Sequence, residues 1–186
     1  WLRDELGLIK QAAETEALAL SVPDTNGVYF VPSFVGLGAP HWEPYVRGMM
    51  MGITRGVTKS HLVRATLEAI VFQTKDVVDV MAADAQLPLK VLKVDGGASV
   101  NNFICQFLAD LTDIEVQRPR IFETTALGAA YLAGLAVGFW NSPEEIREYW
   151  QAGQGYKPEM RQAQRLRLAK GWDKAIASAK SWVSDD

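Results

Sequence analysis

Cysteine is nearly absent from this 186-residue chain. Cys105 stands alone, so no internal disulfide can form, and the sequence suits a reducing, cytoplasmic compartment. Histidine is almost as scarce. His41 and His61 have no partner at metal-ligand spacing, so no metal-binding residue is expected. A basic surplus is also missing: 19 Lys and Arg face 22 Asp and Glu, for a net charge of −3, which argues against a nucleic-acid partner. Thr124 to Trp140 carries no charge and holds the GxxxG stretch Gly134-Leu135-Ala136-Val137-Gly138. A membrane span needs about 20 strongly apolar residues, so no membrane insertion is expected, and this run reads as a buried helix packed closely on its neighbour. Neither the dinucleotide fingerprint G-x-G-x-x-G nor a P-loop is present, and no Ser-His-Asp set or pair of acid/base carboxylates can be assembled. No catalytic residue is expected in the chain.

What remains is an ordinary globular composition, 48% apolar and 22% charged, which excludes a disordered chain or a fibre. The length fits one domain, residues 1–186. The chain opens with Trp1 and runs straight into a helical pattern, with no signal peptide, and reads as a piece cut from something longer. Leu2, Leu6, Ile9, Ala13 and Leu20 mark a helix from Trp1 to Leu20. Pro23 to Gly27 is a turn cluster, and Val28 to Val31 a short strand stopped at Pro32. Residues 33 to 47 are rich in Gly and Pro but carry Phe34, Leu37 and Trp42, so they read as an ordered loop.

From Ser60, the expected N-cap, a helix runs to Asp84. Its apolar stripe is Val63, Leu67, Ile70, Val71, Thr74, Val77, Val78 and Met81, with Arg64, Glu68, Lys75 and Asp79 turned away. Lys90 to Val94 is a strand. A second helix follows with Val100, Phe103, Ile104, Phe107, Leu108 and Leu111 on one face and Cys105 on its polar side. Ile114 to Gln117 is a strand, Thr124 to Phe139 an apolar helix. Residues 142–186 form a helical tail whose basic face is solvated and whose apolar residues Leu166, Leu168, Trp172, Ile176 and Trp182 face the body. Alternating strands and helices imply an α/β layer with some parallel pairing.

The segment Asp95-Gly96-Gly97-Ala98-Ser99-Val100-Asn101-Asn102 carries the most chemistry. A strand passes through two glycines into a helix N-terminus, where unpaired N–H groups and absent side chains would let a ligand lie on the backbone. Asn101 falls in the first turn, and its amide can donate and accept. The segment reads either as a nucleotide platform or as a tight turn that uses glycine only for its conformational freedom.

Together, Pro32-Ser33-Phe34-Val35-Gly36-Leu37-Gly38-Ala39-Pro40-His41-Trp42, the Asp95–Asn102 turn and Thr125-Ala126-Leu127-Gly128-Ala129-Ala130-Tyr131-Leu132-Ala133-Gly134 resemble the C-terminal half of the FGGY carbohydrate kinases, in particular those acting on glycerol. Gly48 to Ile53, His61-Leu62 and Ala65-Thr66-Leu67-Glu68 fit the C-terminal signature of that family. The resemblance implies an actin-like ATPase (ribonuclease H-like) domain, a mixed sheet flanked by helices, incomplete at its N-terminus. It implies ATP and Mg²⁺ as cofactors, glycerol as the phosphate acceptor, a cytoplasmic enzyme and a homo-oligomer at full length.

Carried over residue by residue, Gly97 and Asn101 contact the adenosine part of ATP, while Gly96 and Ala98 shape the same turn. Gly128, Ala129 and Ala130 would back it. The family's catalytic aspartate, glycerol-binding residues and phosphate loops are not found in these residues, so the chain by itself is expected to lack kinase activity. His41 stands where the glycerol-acting members usually carry Tyr. Xylulose or gluconate as acceptor, or a non-enzymatic actin-like interaction domain, are the alternatives. Missing strands would leave a sheet edge open.

Overall fold

The computed structural model describes residues 1–86, 88–121, 124–149 and 152–182. The first thirteen residues are turns and not the expected helix, because Gly7 adopts the left-handed conformation (φ +60°) and breaks the ladder. Leu2 and Ile9 nevertheless reach the interior beside Val63. Helix α1 spans Glu14–Leu20, and the Glu14 carboxylate accepts from the Lys10 and Gln11 amides to close its start.

Strand β1 (Tyr29–Val31) pairs antiparallel with β2 (Met49–Met51), Phe30 opposite Met50. The loop between them is ordered, as its composition implies. The buried Ser33 hydroxyl donates to the Val46 carbonyl at 2.9 Å, and Leu37 and Glu43 exchange backbone hydrogen bonds.

Helix α2 covers Lys59–Ala85. Its cap is Thr58 and not Ser60: the Thr58 amide donates to His61 Nδ1 at 3.0 Å in a capping box, while the Ser60 hydroxyl pairs with Ser21. The buried face also differs from the expected stripe. Val63, Leu67 and Val71 are inside as predicted, but so are Glu68 and Phe72, whereas Ile70, Val77 and Met81 are exposed. Arg64 explains the shift, since its guanidinium donates to Glu68 and to the Ala19 and Val22 carbonyls, drawing that side of α2 onto α1.

The second sheet holds β3 (Val91–Lys93), β4 (Glu115–Pro119) and β5 (Ala152–Tyr156). β3 and β4 are parallel, with Leu92 opposite Val116, and the crossover between them is a 3₁₀ turn (Gly97–Val100) followed by α3 (Asn102–Thr112). β5 lies antiparallel on the other side of β4, so the sheet is mixed. The segment 142–186 is therefore not uniformly helical: α5 (Pro143–Tyr149) and α6 (Gln162–Ser181) flank a strand.

Phe103, Phe107, Leu108 and Leu111 are buried on α3 as expected. Val100 precedes the helix and is exposed, and Cys105 faces inward, not outward, at 1% exposure. On α6, Trp172 and Ile176 are buried, while Leu166 and, just past the helix end, Trp182 stay exposed. Aromatic rings from β1, α2, α3 and α6 (Tyr29, Phe72, Phe107 and Trp172) join these elements into one core. Helix α4 (Thr124–Ala136) departs furthest from expectation. Of its residues only Gly134 is buried, under the Trp140 ring, and Leu132, like Val137 and Phe139 beyond it, is exposed. Apolar residues surround this helix on every side, so one packed side cannot cover them all. Among the described residues, no helix is long and apolar enough to cross a membrane.

Candidate functional site

The ladder of β3 is extended by Val94, whose amide donates to Gln117 O, and the chain then turns at the exposed Asp95. Gly96 takes φ +79°, ψ 177°, a conformation open essentially to glycine alone. Gly97 starts the 3₁₀ turn at ordinary dihedrals, and a Cβ built there meets nothing within 4 Å. The Ser99 amide and hydroxyl both donate back to Gly96 O, at 3.1 and 2.7 Å, tightening the turn while Gly97 and Ala98 stay on the surface.

Asn101 is the N-cap of α3 and not a member of its first turn. Its Oδ1 accepts from the Ile104 amide and its Nδ2 donates to the Thr15 hydroxyl, each at 3.2 Å. The next amide, Asn102, donates to Glu16 Oε2 at 2.8 Å, and the Asn102 side chain donates to Oε1 at 2.9 Å. These amides at the positive end of α3 are thus taken by Glu16 and Asn101, contrary to the open N–H platform expected from sequence. The surface left to a ligand is the backbone of Gly96, Gly97 and Ala98.

Behind the turn sits a polar cluster that sequence reasoning missed. Arg118 Nη1 donates to the Ser99 and Val100 carbonyls at 2.8 and 3.0 Å, and Nη2 to Gln154 Oε1 at 2.8 Å. The guanidinium lies over the Tyr156 ring, and the Tyr156 hydroxyl donates to Asn102 Oδ1 at 2.6 Å. Cys105 Sγ also donates to Ser99 O. Burial pushes both the Cys105 thiol and the Tyr156 phenol up from their usual pKa values, the Arg118 charge opposing it. An arginine before a strand-ending proline gives no hint in sequence of what it reaches.

At the end of the sheet where β3 and β4 both stop, a cleft of ≈ 970 Å³ opens against α4 and α5, lined among others by Lys93, Pro119, Leu127, Gly128, Tyr131 and Arg147. The carboxyl end of parallel strands is the usual place for a ligand in an α/β sheet. An apolar, aromatic wall with cations around it suits a molecule with one flat apolar part and one negative part. Gly128 lines this cleft and does not press on the turn: a Cβ there meets nothing within 4 Å. Among the described residues, no three His, Cys, Asp or Glu side chains gather to hold a metal.

Residues 1–137 match the C-terminal domain of the FGGY family of carbohydrate kinases. The chain is 55% identical over 185 residues to the glycerol kinase of Caldanaerobacter subterraneus subsp. tengcongensis, and 56% identical over 183 residues to that of Solidesulfovibrio magneticus. These alignments cover 100% and 98% of the chain, which spans 37% of the length of each of these curated relatives. The crystal structure of Plasmodium falciparum glycerol kinase with ADP matches with a TM-score of 0.86 at 33% identity, over 96% of this chain and 36% of that one. A ligand-bound xylulose kinase from Lactobacillus acidophilus shares the fold, with a TM-score of 0.80 at 22% identity, over 100% of this chain and 37% of that one.

Proposed function

Since the chain belongs to the FGGY family of carbohydrate kinases, we propose that it is the second, ATP-binding domain of an enzyme that phosphorylates glycerol to glycerol 3-phosphate. The observation that carries this reading is identity of 53–56% to proteins named glycerol kinase across 98–100% of the chain. Phosphoryl transfer would then move the γ-phosphoryl group of ATP in line onto a glycerol hydroxyl.

In this reading the chain supplies the adenosine side of the site. Gly96, Gly97 and Ala98 offer bare backbone to a flat group, with Asn101 fixing the turn's far end. Glu16 already closes the helix end, which favours the neutral nucleoside over a phosphate at this spot. Mg²⁺ would ride on the ATP phosphates, and we assign the catalytic base, the phosphate loops and the glycerol contacts to the part of the relatives' length that this chain does not span.

A cytoplasmic enzyme fits the lone cysteine. A homo-oligomer at full length is supported by the exposed Phe34, Val35, Trp42 and Tyr45.

The turn is tested by Gly97→Val. The site is open and its backbone unstrained, so the variant should fold, while the new side chain stands where the nucleoside would lie. Calorimetry with ADP should show affinity at least about tenfold weaker than wild type. Equal affinity would remove this turn from the nucleotide site.

A further inference from the structure

β5 lies beyond the stretch matched by the family, yet the glycine turn is anchored on it. Two glycines in succession give the backbone its widest freedom, so a turn that binds through its main chain must be held by something outside itself. The hydrogen bonds from Ser99 to Gly96 O act within the turn and fix its shape, but not its place.

Its exit is fixed from two directions. α1 holds Asn101 and Asn102 through Thr15 and Glu16. On the other side, Arg118 of β4 binds both carbonyls that close the 3₁₀ turn, and β5 holds that guanidinium in turn: Gln154 accepts from Nη2, and the Tyr156 ring lies 5.6 Å beneath it. A planar guanidinium bridging three acceptors is a rigid fork, which a lysine cannot reproduce. Tyr156 adds a second link through its hydroxyl bond to Asn102, the residue Glu16 also holds.

We propose that Arg118, held by Gln154 and Tyr156 of β5, is the positioning residue of the Gly96–Asn101 turn and presets it for its ligand. The inference rests on the nucleotide reading for the identity of that ligand, and on the hydrogen bonds alone for the clamp.

The test uses the 186-residue chain, with ADP as the calorimetric probe and hydrogen exchange of the 97–101 amides without ligand. Arg118→Met should raise exchange across the turn and weaken ADP at least about tenfold, and Arg118→Lys should fall short of rescue. Gln154 is exposed, so its variants leave the fold intact. Gln154→Leu should weaken ADP about threefold, and Gln154→Glu, which keeps the acceptor, should restore wild-type affinity, with melting temperatures of both within about 2 °C of wild type. A purely structural role would shift melting and leave this pattern of loss and rescue absent. Unchanged exchange at 97–101 in Gln154→Leu and in folded Arg118→Met overturns the clamp. Faster exchange with unchanged ADP affinity overturns its role toward the ligand. Failure of the wild-type chain to bind ADP would instead strike the nucleotide reading, and the exchange data would still decide the clamp.

Discussion

Trp172 lies flat on Phe72, with ring centroids 5.1 Å apart and planes 7° from parallel. The pair joins α6 to α2, and both rings are at 2% exposure. Phe72 meets Phe107 edge-on and Tyr29 at a tilt, so this stack sits where four elements converge. The indole N–H donates to Asp76 Oδ2 at 2.8 Å, an oxygen 3.2 Å from His41 Nε2, so the ring is also pinned at its polar edge.

Trp172→Ala should cost about 3–5 kcal/mol, by lost burial and the cavity left behind. Trp172→Phe keeps most of the ring contact but drops the donor to Asp76, and should cost about 1–2 kcal/mol. Urea unfolding followed by circular dichroism measures both. An unchanged midpoint for Trp172→Ala would mean that α6 does not complete the core.

Much of this was legible in sequence where local chemistry and tertiary role agree. Gly96-Gly97 after a β-branched strand marked the turn, and the α3 face from Phe103 to Leu111 was legible because helix period and burial coincide. Glu68 was hidden because periodicity assigns a carboxylate to solvent, and only the arrival of Arg64 makes its burial tolerable. β5 was hidden for a different reason. Gly153, Gln154 and Gly155 have no strand propensity, yet Gly153 is required there, since a Cβ would lie 2.8 Å from Arg118 O. The clamp on the glycine turn depends on that pairing, so no local pattern could announce it. α4 misled in the opposite sense, since composition measures how apolar a helix is and not what lies beside it.

Cys105 should be chemically silent in the folded chain. Its thiol is at 1% exposure and donates to Ser99 O, and burial raises its pKa, so little thiolate forms near neutral pH. Ellman's reagent at pH 8 should label the native chain at least about 100-fold more slowly than the guanidinium-unfolded chain, reaching one thiol per chain only in the latter. Prompt stoichiometric labelling without denaturant would show that the floor beneath the turn opens readily.

Glu68 should make stability fall as the pH rises toward neutrality. The carboxyl is at 4% exposure, and burial raises its pKa from 4.5 to about 7, outweighing the Arg64 hydrogen bond and charge that pull the other way, with Asp24 adding to the rise. Below about pH 4.5 both folded and unfolded chains carry the proton, and the contribution of Glu68 is fully present. Between about 4.5 and 7 the unfolded chain releases it while the folded chain keeps it, so unfolding gains on folding with each step up in pH. Above about 7 both forms are ionised and the slope ends. The shift, in which the opposing pull of Arg64 is already included, bounds the loss at about 3 kcal/mol. Glu68→Gln keeps a neutral group of the same shape that can still accept from Arg64 Nε, so it should abolish this slope. Urea unfolding of both chains at pH 5, 6, 7 and 8 should show the variant gaining on wild type from pH 5 to about 7 and levelling off by pH 8. A wild-type-minus-variant difference equal at pH 5 and pH 8 would mean that Glu68 ionises in the folded chain as readily as in water, and that Arg64 wins.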